Sequence, residues 1–221
     1  TSIVSIGLSD RRLPDGSMVI DFSPGGISDW SFTRLTIEDK FEKKTKFFGA
    51  RNRNILGWIW SGTKGVPVQE RFTVEGAGSA TMLQKGYLRD ASSFYGDLDL
   101  RNQYHLPGDA NLRAFGNQNF VGVEGILADS FEAFVHKKIG PVTAEVAAFI
   151  DSGILFGSKF EPNDQLFDNT TLMDYGFGLR LSTSIFGQPL YLRIDKPIDA
   201  TIDGTSIEKM NDWVFSFQKA I

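Results

Sequence analysis

Cysteine is absent from the 221 residues, which excludes disulfides and thiolate-held metals. Histidine occurs twice, and neither His105 nor His136 has a second ligand at a metal-binding spacing. No run of about 18 apolar residues occurs, so no membrane-spanning helix is expected. The His-Glu-x-x-His and Gly-x-Ser-x-Gly patterns are missing. Gly76-Ala77-Gly78-Ser79 lacks the Gly-Lys-Ser/Thr ending of a phosphate loop. The formal net charge of −4 offers no basic footprint for nucleic acid. What remains carries no catalytic centre, metal site or cofactor motif.

Alternation of side chains is what the chain has in quantity. From Asp174 to Ile185 the odd positions read Tyr175, Phe177, Leu179, Leu181, Thr183, Ile185, against Asp174, Gly176, Gly178, Arg180, Ser182, Ser184. Leu190, Leu192 and Ile194 alternate with Tyr191, Arg193 and Asp195. Near the end Trp213, Phe215 and Phe217 alternate with Val214, Ser216 and Gln218. Successive strand side chains point to opposite faces, so each segment is a strand with one apolar and one polar side. The polar side is rich in Gly, Ser and Arg and lacks the dense Lys/Glu cover of a solvated exterior. That suits the lining of a barrel whose apolar side meets lipid. Phe is abundant, at 19 residues, and Trp30, Trp58, Trp60 and Trp213 fall within strands or near strand ends, as interfacial aromatic girdles require. Mean hydropathy is only −0.15. Spanning strands of about 9–11 residues need be only half apolar, so hydropathy averages do not reveal them.

Along the chain, residues 2–8 and 17–23 read as short strands joined by Leu13-Pro14-Asp15-Gly16, and Pro24-Gly25-Gly26 ends the second. Residues 30–41 and 46–61 form a longer antiparallel pair, with the lysine-rich run from Lys40 to Lys46 as a turn at the water boundary. Residues 62–118 read as a long inserted loop with weak strands around 70–76 and 95–104, a length usually kept for function. Strands resume at 120–137 and 141–156 through the turn Lys138-Ile139-Gly140-Pro141. Residues 157–170 and 199–210 read as polar external connections. About nine strands result, in one antiparallel transmembrane β-barrel domain over 1–221. Bacterial barrels have even strand numbers. Either the count is off by one, or the barrel starts upstream of Thr1; a start at Thr1 rather than Met reads as a processed chain or a fragment, here the C-terminal part of a larger barrel.

The second half resembles the outer-membrane assembly-factor superfamily (BamA- and TamA-like barrels, also called bacterial surface antigens). The resemblance lies in the order of Gly108-Asp109-Ala110-Asn111-Leu112-Arg113-Ala114-Phe115, Glu132, Phe149-Ile150-Asp151-Ser152-Gly153, Gly176-Phe177-Gly178-Leu179-Arg180-Leu181, a strand Tyr191 to Asp195 ending in Lys196-Pro197, and a closing strand from Trp213 to Ile221. It covers roughly residues 105–221. Ala114 departs from the usual glycine, and Ile221 from the usual terminal aromatic.

The resemblance implies that the long loop folds back into the barrel and that Arg113 pairs with acids on the wall. Asp151 comes first, Glu132 second and Glu124 as a rival, with Phe115 packed beside the arginine as an anchor. Arg180, Arg193 and Asp195 are expected to form a ladder of lumenal charge pairs. Trp213, Phe215 and Phe217 mark a strand that closes on the first strand of the barrel. The implied role is insertion or translocation of proteins in a Gram-negative-type outer membrane. The implied partners are the lipid bilayer, client outer-membrane proteins and accessory subunits. Alternatives are a barrel anchoring an upstream patatin-like lipase or metallopeptidase, a passive channel, and a soluble β-barrel around an apolar ligand.

Overall fold

The computed structural model describes residues 4–9, 16–23, 31–61, 72–74, 110, 112–115, 121–160, 165–185, 188–207 and 213–219. These form an all-β structure with no α-helix among the described residues. The strands are β1 (Val4–Ser9), β2 (Ser17–Ser23), β3 (Phe32–Lys44), β4 (Phe48–Ser61), β5 (Phe72–Thr73) and β6 (Val121–Val123), then β7 (Gly125–Ile139), β8 (Val142–Phe160), β9 (Gln165–Ile185), β10 (Gln188–Ile202), β11 (Thr205–Ile207) and β12 (Val214–Lys219). Ten of them share one antiparallel sheet in the order β1-β2-β3-β4-β7-β8-β9-β10. The far edge of β10 is divided between β11, opposite Ala200–Ile202, and β12, opposite Leu190–Asp195. β5 and β6 make a separate small ribbon. Among the described residues no pairing joins β1 to β12, so the expected closure of last strand on first is not made.

β4 and β7 to β9 sort their side chains as the alternation requires, with apolar residues exposed and, on β7 to β9, carboxylates buried. On β9, Met173, Tyr175, Phe177 and Leu179 are exposed, while Leu172, Asp174 and Gly176 between them are buried. β8 exposes Val146 and Ile150 and buries Glu145, Phe149 and Asp151. β7 exposes Leu127, Phe131 and Val135 and buries Ser130, Glu132 and Phe134. β4 continues the outer face with Leu56, Trp58 and Trp60. Sheets that face water bury the apolar side and solvate the polar one. Here carboxylates are buried on the inner face, beside an apolar cluster, while a column of aromatic and aliphatic side chains is exposed on the outer one.

The inner face is concave. Strand neighbours lie about 4.8 Å apart, so a flat sheet would hold β10 about 14 Å from β7. Yet Arg193 of β10 donates a hydrogen bond to Glu132 of β7. Two strands intervene, and only strong curvature brings the side chains together. The apolar cluster within this concavity is filled partly by the long connection between β4 and β7. Phe72, Val74, Ala110, Leu112, Ala114 and Phe115 pack there against Ile55, Ile59, Ile126, Ala128, Leu155 and Leu172 of the wall. The described pieces of the 62–118 segment thus lie against the inner face. The weak strand expected at 95–104 falls outside the described residues.

Four boundaries differ from the sequence reading. β3 runs on to Lys44, and the turn shrinks to residues 45–47, because Lys40 and Lys44 are held by Glu38 and Glu42 along the same strand. The polar stretch expected to connect at 157–170 is mostly strand: β8 continues to Phe160 and β9 begins at Gln165. Ladder hydrogen bonds are made by backbone and tolerate polar side chains. Residues 199–210 contain a tight hairpin in which Asp203 (φ 50°) and Gly204 (φ 76°) supply the left-handed pair of a type I′ turn. Pro197 does not end its strand. Register shifts between Pro197 and Asp199, and this bulge admits a residue with no N–H to donate.

Candidate functional site

The most concentrated chemistry lies where a short 3-10 turn, Arg113–Phe115, meets the inner wall. All three of its residues are buried. The guanidinium of Arg113 reaches four groups on three strands. It donates to Glu132 on β7 and, at 3.2 Å, to Ser130 Oγ on the same strand. Its Nε lies 3.3 Å from Asp151 Oδ2 on β8 and 3.6 Å from Asp195 Oδ2 on β10. Its plane sits 3.8 Å from the centre of the Phe149 ring, a cation–π contact strengthened by exclusion of water. β9 holds the turn by its backbone: Ala114 N–H donates to Asp174 Oδ2 at 3.0 Å. Four consecutive strands therefore grip one turn of a long loop. A fork of five donors suits this, since no single acid could satisfy it.

The wall acids are themselves tied together. Ser130 Oγ donates to Asp151 Oδ1 at 2.6 Å. Arg193 bonds both Glu132 and Asp195. Arg51 on β4 pairs with Glu132 at 2.9 Å and also with Glu145, which receives Lys44 at 3.2 Å and faces Arg180 at 3.9 Å. Five buried acids (Glu132, Glu145, Asp151, Asp174, Asp195) thus face four arginines (Arg51, Arg113, Arg180, Arg193) across the concavity. Buried charges are costly unless paired: Glu132, Glu145, Asp151 and Asp195 each meet at least one arginine, and Asp174 accepts the Ala114 N–H.

Two glycines make room for the arrangement. A Cβ on Gly178 would stand 2.1 Å from Asp195 Oδ1, and one on Gly176 would stand 2.2 Å from the Lys196 carbonyl and 2.7 Å from the Phe149 ring. The Gly-x-Gly spacing clears the inner side of β9 for an acid of β10 and for the ring beneath Arg113.

Of the residues singled out in the sequence, Arg113, Phe115, Glu132, Asp151, Arg193 and Asp195 converge here, and Arg180 lies at the Glu145 end. Glu124 does not lie on the inner wall; it is exposed, with its carboxylate against Gly157. Trp213 is exposed and stacks under Lys196, 4.8 Å from its ammonium. By register Phe215 and Phe217 stand opposite Ile194 and Leu192 on β10. Sequence reasoning missed Asp174, Glu145, Arg51 and Ser130. Asp174 had a readable signal: it heads the polar column that continues through Gly176 and Gly178.

No family model, curated protein or solved structure matches the chain. Its chemistry is therefore read from the geometry. Among the described residues no three His, Cys, Asp or Glu side chains are grouped to hold a metal. The arrangement is suited to holding a loop.

Proposed function

We propose that this chain is a transmembrane β-barrel, or the C-terminal part of one, that inserts or translocates proteins at an outer membrane. The observation that carries the membrane reading is the inverted polarity of the sheet. An exterior of exposed Phe, Trp, Leu and Val over an inner face that mixes an apolar cluster with buried Arg, Asp and Glu is stable where the surrounding solvent is hydrocarbon. β7 to β10 have 15 to 21 residues each, enough to cross a bilayer at a tilt and project beyond it.

The assembly role rests on two further features. The described pieces of the 62–118 segment pack on the inner face and Arg113 latches one of them there, which supports a role other than an open pore. The last strand is joined to its neighbour over a short register, six residue pairs between β12 and β10 against fourteen between β10 and β9. The edge of β12 away from β10 has no strand partner among the described residues, and an incoming strand can join such an edge by β-augmentation. A wall that opens at this seam would offer a client strand both a template and a way into lipid.

The test uses proteoliposomes holding the full chain and an unfolded barrel protein as client. One cysteine is placed in β1 and one in β12 for bridging; no native cysteine interferes. The unbridged protein should speed client insertion and pass little ion current, and bridging should abolish the stimulation. Unchanged stimulation after bridging, or a large constitutive conductance without stimulation, would overturn the assembly reading in favour of a passive channel.

A further inference from the structure

The end of the sheet away from the long loop carries a charge pattern that the latch does not use. Here β3 turns into β4 through residues 45–47, and β7 turns into β8 through Gly140 and Pro141. The two turns are neighbours. His136 N–H donates to the Phe47 carbonyl at 2.9 Å, and the His136 ring lies 3.0 Å from the Thr45 carbonyl. Six lysines are exposed along this rim: Lys40, Lys43, Lys44, Lys46, Lys137 and Lys138. Glu38 and Glu42 take Lys40 and Lys44. Among the described residues Lys43, Lys46, Lys137 and Lys138 have no carboxylate partner. At the loop end the exposed ionisable residues described are instead the acids Glu124 and Asp203.

The rim is also apolar. Phe48 (63% exposed), Ile139 (61%), Phe41 (57%) and Phe47 (56%) are among the most exposed large hydrophobic residues of the molecule. By register Phe48 faces Val135 on the outer side of the sheet, two positions before Lys137. Lys46 lies 5.3 Å over the Phe47 ring. Ammonium groups thus stand just beyond rings that continue the apolar exterior, the spacing at which acyl chains give way to headgroups.

We propose that this rim binds the phosphate headgroups of an anionic phospholipid leaflet and fixes the depth of the sheet in the bilayer. The proposal rests on the membrane reading above. Charge complementarity favours lipid over an acidic protein partner. Exposed lysines spread over two neighbouring turns and the strand ends beside them, each a mobile point charge, suit a fluid layer of phosphates at one depth. Each lysine near such a surface strengthens attachment by about 1 kcal/mol, or roughly five-fold.

The experiment compares the full chain with a variant carrying Lys43→Glu, Lys46→Glu, Lys137→Glu and Lys138→Glu, and with one carrying arginine at the same positions. Each is folded into vesicles of phosphatidylcholine alone and of phosphatidylcholine with phosphatidylglycerol, at low and high salt. The wild-type and arginine chains should insert at least about ten-fold faster with phosphatidylglycerol at low salt, and lose the gain at high salt. The glutamate variant should insert into phosphatidylcholine like wild type and gain nothing from phosphatidylglycerol. An equal gain for the glutamate variant would overturn the proposal and leave the membrane reading standing. So would a wild-type rate indifferent to lipid charge while soluble polyglutamate binds the rim. Insertion of no chain into either vesicle would overturn both.

Discussion

At the residue scale, Arg113 is the best test of how the interior is held. Replacing it by alanine leaves Glu132, Asp151 and Asp195 buried with one cation fewer. Breaking a buried charge network from one side costs about 3–5 kcal/mol. Arg113→Ala is therefore expected to lower the urea midpoint of the folded chain and expose the 62–118 segment to protease while the strands stay protected. An unchanged digestion pattern would show that Phe115 and its apolar neighbours hold the loop unaided. Arg113→Lys should rescue little, because one ammonium cannot span three strands. The arginine and its two expected acids were legible from motif order. Their shared use was not, because a pairing among β7, β8 and β10 depends on curvature that no local pattern encodes.

At the scale of elements, the tightest approach is between β9 and β10. Gly176→Ala would push its methyl against the Lys196 carbonyl, which cannot yield without moving β10. Gly178→Ala would meet only the end of the Asp195 side chain. Unfolding of the two single variants should therefore rank Gly176→Ala as the more damaging, by about 1–3 kcal/mol as for other overpacked sites. The reverse order would mean that the placement of Asp195 matters more than strand approach. Strand existence was readable wherever period-two alternation held, as on β4 and β7 to β10. Boundaries failed where polar residues continued a strand, as around Phe160 and Gln165. Asp203-Gly204 is a strong hairpin signal by itself. It was passed over because the flanking residues, Asp199 to Ile202 and Thr205 to Ile207, are too polar and too few to read as strands.

At the scale of the molecule, the inversion of polarity makes a prediction that separates lipid from water as the outer solvent. Phe177 stands near the middle of the exposed column of β9 and faces no protein core. Phe177→Arg is expected to cost about 2–4 kcal/mol in folding into bilayers, as for arginine elsewhere on the lipid face of barrels. A soluble sheet would tolerate the same change at an exposed site, within about 0.5 kcal/mol. A neutral result in vesicles would remove the membrane reading. The composition allowed either outcome, since alternation is identical in a sheet and in its mirror of polarity; the exposure of Tyr175, Phe177 and Leu179 beside buried Asp174 favours lipid.

This inversion also redistributes freedom to vary. On the proposed membrane reading lipid tails flow around any apolar contour, so the exposed Leu127, Val146 and Leu179 would have no fixed neighbours on the outside whose shape they must match. Their positions should accept one hydrocarbon side chain for another almost freely. Inside, many charged groups share partners, and a change at Glu132 is felt at once by Arg51, Arg113 and Arg193. Among natural variants of this chain the greasy columns should therefore drift, while the ionic ones hold still or change in concert.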